Sequence, residues 1–299
     1  MGYDNSNERF LIEQTDRSHE GVHSTIQGAH PEAQKTIGEA AINPSDFIYS
    51  PRYKKEDIER DLGLVEKREK QFEHDDSQKP AEVFEAIMLH QGELSNWFGQ
   101  HAETIKTSRY DDIFNGIDII VEFENTTAKE LSHLGVAVDV TFGTTGLQKK
   151  IERIKKEIDR GELARVKYFY SEKEGVREPR DVARVVVGIE LNQVVELAAL
   201  WLQQKNFQYK EIRSKANHAL AAHPASRAML EEISLQLERF KDYANKNNKK
   251  ALSDIYEKDL VIVKAILAEK QKAGIRMGEL KDDRVYNSIK ETVERLFPL

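Results

Sequence analysis

Two short apolar runs in the middle of the chain each contain an acidic residue. Residues 116–124 read GIDIIVEFE and residues 135–142 read GVAVDVTF. Burying a carboxylate within a strand costs free energy unless a cation or hydrogen bonds compensate it. The two runs are close in sequence, so they predict neighbouring strands that carry half of a metal site.

Strand alternation gives these acids a direction. Successive side chains point to opposite faces of a sheet. Asp118 is therefore expected on the other face from Ile119, and Asp139 on the other face from Val138. If the two strands pair in one sheet, Asp118 and Asp139 can point to the same side. Two close carboxylates repel each other unless a cation neutralises them, and hard cations such as Mg²⁺ take oxygen ligands.

The chain divides into three parts by composition and periodicity. Residues 1–78 predict a polar N-terminal extension, partly disordered, with a charged helix over about 50–72. Residues 79–190 predict an α/β domain with a mixed central sheet flanked by helices, because helix and strand patterns alternate there. Residues 191–299 predict an all-helical C-terminal region, which serves as a cap on the sheet or as an oligomerisation module.

The α/β part has a definite expected order of elements. It starts with a helix at Lys79-Pro80, and Asn115-Gly116 favours a tight hairpin between the first two strands. The expected strands are 104–110, 117–124, 136–142, 165–170 and 182–189, and the helix between the third and fourth is 147–160.

This order, with an Asp on the second strand and an acid on the third, resembles the PD-(D/E)xK nuclease superfamily over about residues 80–190. The resemblance implies a restriction-endonuclease-like core. It also implies a divalent ion, Mg²⁺ or Mn²⁺, held by Asp118, Asp139 and an acid from the first helix, either Glu85 or Glu82. The implied activity is hydrolysis of phosphodiester bonds in DNA or RNA.

The family's lysine is missing from its usual place. Asp139-Val140-Thr141 matches the acid-x-Lys element, but Thr141 stands where the family has Lys. In some members that lysine lies on the following helix instead, which here carries Lys149 and Lys150. The resemblance therefore implies that one of these two lysines supports the attacking nucleophile.

Structural roles compete with this interpretation. Asp118 is also suited to cap the turn at Asn115-Gly116, and Asp139 to form an ion pair with Lys149 or Lys167. Thr141 and the acidic net charge favour an alternative function. In that alternative, a catalytically inactive module binds nucleic acid or protein and forms a homo-oligomer through residues 191–299.

Charge and composition limit the other function classes. The 299 residues include no cysteine and have a net charge of −7, which excludes disulfides, thiolate metal sites and a generally basic surface. No apolar segment is long enough to span a membrane, and we expect a cytoplasmic protein. Nucleic-acid binding requires only a local basic stripe. The helix over 147–160 offers one, or a solvated face laced with ion pairs.

Overall fold

The computed structural model describes residues 23–72, 76–125, 130–139, 144–206 and 208–298. Within these ranges the chain forms an α/β fold with a C-terminal helical region. Its helices are α1 (Ser24–Ala40), α2 (Lys55–Phe72), α3 (Lys79–Ser95), α4 (Thr144–Arg160), α5 (Leu191–Lys205), α6 (Lys210–Ala221), α7 (Pro224–Lys246), α8 (Lys250–Lys272) and α9 (Arg284–Leu296). Its strands are β1 (Ala102–Lys106), β2 (Ile119–Asn125), β3 (Glu130–Asp139), β4 (Ala164–Val166) and β5 (Arg180–Gly188).

The five strands form one mixed sheet in the order β1-β2-β3-β5-β4. The strands β1, β2 and β3 are antiparallel neighbours, β3 and β5 are parallel, and β5 and β4 are antiparallel. A parallel pair needs a crossover connection, and α4 lies in the connection between β3 and β5. The predicted fold class, a mixed sheet flanked by helices with a helical C-terminal region, is confirmed at this level.

The sheet is buried on both faces. Ile119, Val121 and Phe123 of β2 join the main core, together with residues of α3, α7 and α8. Ile117 and Ile120 pack into a second cluster with Val166 and Phe169. Burial on both faces explains the continuous apolar runs in β2 and β5, which replace the polar-apolar alternation of a half-exposed strand.

The helix α1 was not predicted. Residues 24–40 are largely polar, yet Ile26, Ala29 and Ala33 are fully buried in the main core, where α1 packs against α3. Three small or medium side chains at helical spacing are enough for close packing, but they give only a weak periodic signal. The charged helix expected over 50–72 is present as α2 and begins at Lys55. Residues 1–22 lie outside the described part of the chain.

The tight hairpin predicted at Asn115-Gly116 is wrong. The chain passes from β1 to β2 through a π-helical turn over Asp111–Asn115, and Gly116 follows with φ of 65°. A Cβ atom at Gly116 would lie 3.2 Å from a guanidinium nitrogen of Arg153, so both the backbone conformation and the space favour glycine here. The connection is therefore a structured loop with room for side chains that line a cleft.

Side chains of α7 complete the hydrogen bonding of β5 along the edge that it does not share with β3, beyond the end of β4. Gln236 accepts from the backbone N of Val186 through Oε1 at 2.8 Å and donates to its carbonyl through Nε2 at 2.6 Å. Glu232 accepts from the N of Gly188 at 3.1 Å. Because buried backbone groups need partners, this pairing closes the sheet edge that β4 leaves open.

We expect Gln236→Leu to lower the free energy of unfolding by about 2–4 kcal/mol, because it leaves two buried backbone groups of Val186 unpaired. Urea denaturation measures this loss. Gln203→Leu is the control, because Gln203 is exposed on α5 and its substitution leaves β5 untouched. Equal stability of the two variants would contradict a role for Gln236 in the sheet.

None of the helices in the described ranges is both long and apolar enough to cross a membrane.

Candidate metal and phosphate site

A cleft of about 380 Å³ lies between α3, the turn after β1, the start of β2 and α4. Acidic residues and basic residues share its lining, and apolar residues are few. The lining consists of Gln78, Ala81, Glu82, Glu85, Arg109, Asp112, Ile113, Gly116, Asp118, Lys150, Arg153, Arg184 and Val186.

Three carboxylates converge in this cleft. Glu85 from α3, Asp112 from the π-helical turn and Asp118 from the start of β2 each offer an oxygen within 4.8 Å of the other two. Glu85 is buried, whereas Asp112 and Asp118 are partly exposed. The cluster therefore has a buried floor and an open side.

Asp118 reaches the cluster through a break in strand alternation. Its backbone N donates to the carbonyl of Val136 at 3.0 Å, and Val136 is also the register partner of Ile119. Two residues of one strand thus oppose one residue of the other, as in a β-bulge. The carboxylate of Asp118 lies beside Glu85, and Ile119 packs in the core that contains α3. The prediction that Asp118 and Ile119 face opposite sides was therefore wrong.

Asp112 is held in place by its neighbour, Asp111. The fully buried carboxylate of Asp111 accepts from Ser108 Oγ at 2.7 Å and from Asn115 Nδ2 at 2.6 Å, both within the same turn. It also accepts from the backbone N of Lys167 at 2.6 Å and of Tyr168 at 3.0 Å. These four bonds fix the turn to the segment after β4, so Asp112 is presented to the cleft on a rigid support.

A buried lysine, Lys106 at the end of β1, is the counter-ion of the three acids. Its Nζ lies 2.7 Å from Glu85 Oε1, donates to Asp112 Oδ2 at 3.1 Å and donates to the carbonyl of Asp118 at 3.0 Å. The contact between Lys106 and Glu85 is an ion pair whose angles are not those of a hydrogen bond. The buried Oε1 atom of Glu85 therefore has a counter-ion but no hydrogen-bond partner. One positive charge at the floor of the cleft thus faces three carboxylates.

Protonation within the cluster follows from this imbalance. Burial is the largest influence on Glu85 and raises the pKa of its carboxyl well above the ordinary value, and Asp118 and Asp112 add to the rise against the opposing Lys106. Burial alone would lower the pKa of Lys106, but Asp112, Glu85 and Asp118 outweigh it and raise that pKa. Burial opposes ionisation of Asp112, yet Lys106 and Arg109 hold its pKa below the ordinary value. A cation that enters the cluster would therefore displace a proton from it.

Basic side chains also line the cleft. Arg109 bonds Asp112 at 2.9 Å and Glu69 at 2.8 Å. Arg184, which is buried, bonds Glu157 at 2.6 Å, and Arg153 donates to the carbonyl of Phe114 at 3.1 Å. Lys150 from α4 also lines the cleft. Acids on the floor and cations on the wall suit a ligand that carries both a metal ion and phosphate oxygens.

The structure brings together several residues that the sequence predicted. Glu85, Asp118 and Lys150 line the cleft, and Lys149 is exposed on α4 outside its lining. Glu82 also lines the cleft, but its carboxylate bonds His30 Nε2 at 2.6 Å and is not one of the three clustered acids.

Other predicted residues lie outside what the structure describes. Asp139 is the last residue of β3, and its backbone is in register with Gly188. Its side chain lies outside the described part of the chain, and so does the whole of Thr141. The predicted sharing of an ion by Asp118 and Asp139 stays a prediction. Lys167, suggested as a partner of Asp139, forms an ion pair with Asp61.

Lys106, Asp112 and Arg109 were not predicted as site residues. Lys106 lies within the weak strand candidate 104–110, where a single lysine gives no sign that it is buried. Asp112 and Arg109 belong to a run of polar residues before Asn115-Gly116. Only the π-helical turn distinguishes Asp112, which lines the cleft, from Asp111, which is structural.

Comparisons with protein-family models, curated proteins and solved structures found no match to this chain.

The three carboxylates supply oxygen ligands that one divalent cation could share. Around Mg²⁺ at about 2.1 Å, adjacent ligand oxygens lie about 3.0 Å apart and opposite ones about 4.2 Å, so oxygens within 4.8 Å of one another would close in on a bound ion. The donor set is all oxygen, as Mg²⁺ and Mn²⁺ prefer. Lys106 remains close enough to compete with such an ion for Glu85 and Asp112.

Proposed function

We propose that this protein is a divalent-metal-dependent phosphodiesterase that acts on nucleic acid, with Mg²⁺ or Mn²⁺ held by Glu85, Asp112 and Asp118. The observation that carries the proposal is the convergence of these carboxylates within 4.8 Å, in a cleft whose wall carries Arg109, Arg153 and other cations. Acidic clusters alone are common on proteins. An acidic floor beside a cationic wall is the arrangement that binds a metal and a phosphate together.

Each side chain has a definite part in this proposal. The ion, when bound, supplies Lewis-acid polarisation of the phosphate and an acidified water. Lys106 balances the charge of Glu85 and Asp112 before and during binding. Arg109 keeps Asp112 ionised and so ready to ligate. Arg153 and Lys150 lie where phosphate oxygens would enter the cleft.

The restriction-endonuclease-like core belongs to this proposal. The order α3, β1, β2, β3, α4, β4, β5 supports it, as do an acid from the first helix and another immediately before the second strand. Asp112 in the connecting turn and Lys106 on the first strand differ from the pattern that the resemblance implied. A cytoplasmic location and self-association through residues 191–299 stay predictions.

A second candidate function is phosphate or nucleic-acid binding without hydrolysis. One observation favours it: Lys106 already places an ammonium group within 3.1 Å of two of the three acids. A built-in counter-ion of this kind stabilises a carboxylate cluster with no metal at all.

A paired measurement separates the two candidates. Mn²⁺ binding is followed by calorimetry, and cleavage of single-stranded and duplex DNA and RNA is followed in Mg²⁺ or Mn²⁺. We expect Glu85→Gln, Asp112→Asn and Asp118→Asn each to weaken Mn²⁺ binding and to reduce cleavage about 100-fold or more, because a lost ligand removes several kcal/mol of transition-state stabilisation.

Glu152→Gln is the matched control, because Glu152 lies on α4 away from the cluster and bonds Gln148. Asp139→Asn tests the remaining sequence prediction separately. Cleavage that survives all three cluster variants would refute the assignment of the site. The absence of both Mn²⁺ binding and cleavage would favour the second candidate.

A further inference from the structure

The outward face of α4 carries only cations. Lys149, Arg153, Lys156 and Arg160 are all exposed and follow one another at helical spacing of four, three and four residues. They lie opposite the buried residues of the helix, which are Leu147, Ile151, Ile154 and Ile158. With a rise of about 1.5 Å per residue, the four cations span about 16 Å along the surface. We call these four residues the cationic face of α4.

The acids of α4 lie to the sides of this face, and most of their contacts are with residues outside it. Glu152 accepts from Gln148 at 2.7 Å, and Glu157 bonds the buried Arg184. Asp159 is bonded by Lys155 and Tyr243. Of the four cations, Arg160 pairs with Glu162, which follows the helix, and Arg153 lies 3.6 Å from Glu157. Four cations thus face two paired acids, so the face keeps a net positive charge in a chain whose net charge is −7.

The cationic face leads into the cleft. Arg153 belongs to both, since it is exposed on α4 and lines the cleft that holds the three carboxylates. Successive cations at four-residue spacing are about 6 Å apart along the helix axis. A ligand with regularly repeated negative charges could contact the whole face while one of its charges enters the cleft.

We propose that the cationic face of α4 binds the backbone phosphates of a single-stranded nucleic acid, one nucleotide of which enters the cleft. This inference rests on the proposed function in one respect, which is that the nucleotide in the cleft is the one whose phosphodiester bond is hydrolysed. A cleft of about 380 Å³ is in the size range of a pocket for one small ligand, about 300–1,000 Å³, and not of a groove for a duplex. Glu85 at its floor is buried, so a paired strand would have to unpair to reach it, whereas a single strand bends in freely.

Binding of a fluorescein-labelled oligonucleotide, measured by anisotropy in EDTA, tests this surface without hydrolysis. If all four cations contact phosphates, raising the salt from about 50 to about 200 mM should weaken single-strand binding about fiftyfold. Lys149→Ala combined with Lys156→Ala should reduce that loss to about sevenfold, because two contacts are gone. The same oligonucleotide annealed to its complement should bind more weakly than the single strand.

Lys264→Ala combined with Lys272→Ala is the control, because it removes the same charge from the exposed side of α8. An unchanged salt dependence in the α4 double variant, or tighter binding of the duplex, would overturn the proposal. A different result would refute the proposed function alone. In that result the protein binds single strands in a salt-dependent way and the α4 variant weakens this binding, but no hydrolysis occurs in Mn²⁺. The binding surface would then be supported, and the phosphodiesterase activity would be refuted.

Discussion

Lys106→Met is expected to lower the free energy of unfolding by about 3–5 kcal/mol in EDTA. The substitution keeps the length and apolar stem of the side chain, but it removes the counter-ion of the buried Glu85 and leaves Asp112 paired with Arg109 alone. Removing one partner of a buried ion pair costs more than the pair is worth, because the remaining charge stays desolvated. Urea denaturation measures the loss, and Lys70→Met is the control, since Lys70 makes an exposed pair with Glu66.

The same variant reports on metal binding. With the ammonium gone, a divalent cation is the natural replacement, so Mn²⁺ should stabilise Lys106→Met more than it stabilises the unsubstituted protein. At a free concentration about 100 times the dissociation constant, binding adds about 2.7 kcal/mol to the stability. In the unsubstituted protein the ion must compete with Lys106 for Glu85 and Asp112, so the gain is smaller.

Two outcomes would contradict this picture. A stability loss as small as that of Lys70→Met would mean that Lys106 does not balance the charge of the acids. A full loss in EDTA that Mn²⁺ does not reduce would mean that the carboxylates bind no metal, and the phosphodiesterase proposal would fail with it.

The fold class and the order of elements could be predicted from the sequence, because strand and helix periods are local properties of the chain. The apolar runs around Ile119 and Val136 indicate buried strands wherever they pair. The isoleucines of α4 likewise indicate one packed face. The bounds differ by a few residues because hydrogen bonding in the sheet, and not the pattern itself, decides where a strand begins and ends.

The site was predicted only in part, because its geometry depends on irregular backbone. Strict alternation sets Asp118 on the wrong side of its strand, and a single extra residue opposite Val136 corrects this. The roles of Asp111 and Asp112 differ through a π-helical turn that no local pattern marks. The burial of Lys106 depends on its contact with Glu85 of α3, the preceding element, and a local sequence pattern does not show that contact.

Asp259→Asn is expected to change the stability of the protein in a strongly pH-dependent way. Asp259, on α8, is fully buried against β3, where Ser132 Oγ donates to its Oδ1, and its Oδ2 has no hydrogen-bond partner. Burial raises the pKa of this carboxyl from 3.8 to about 7, although the Ser132 hydrogen bond and the charge of Lys258 oppose the shift. Tyr256, also buried on α8, interacts with Asp259 and gains a raised pKa from burial.

The sign of the effect follows from proton binding. Between about pH 4 and pH 7 the folded protein binds the Asp259 proton and the unfolded chain releases it, so stability falls as the pH rises. The contribution is fully present below the unfolded pKa and is lost as the pH passes the folded value. A shift of about three pKa units corresponds to about 4 kcal/mol.

Asparagine removes the titration, so the stability of Asp259→Asn relative to the unsubstituted protein should rise by about 4 kcal/mol between about pH 4 and pH 8. Urea denaturation across this range, with Asp254→Asn as an exposed control on the same helix, measures the difference. The buried amide of the variant lacks a second partner and offsets part of the gain at every pH, so the slope and not the absolute stability is decisive. Parallel stability curves for the variant and the unsubstituted protein would show that Asp259 stays ionised when folded. In that case the buried carboxylate would be stabilised by a further polar partner, and not neutralised by a proton.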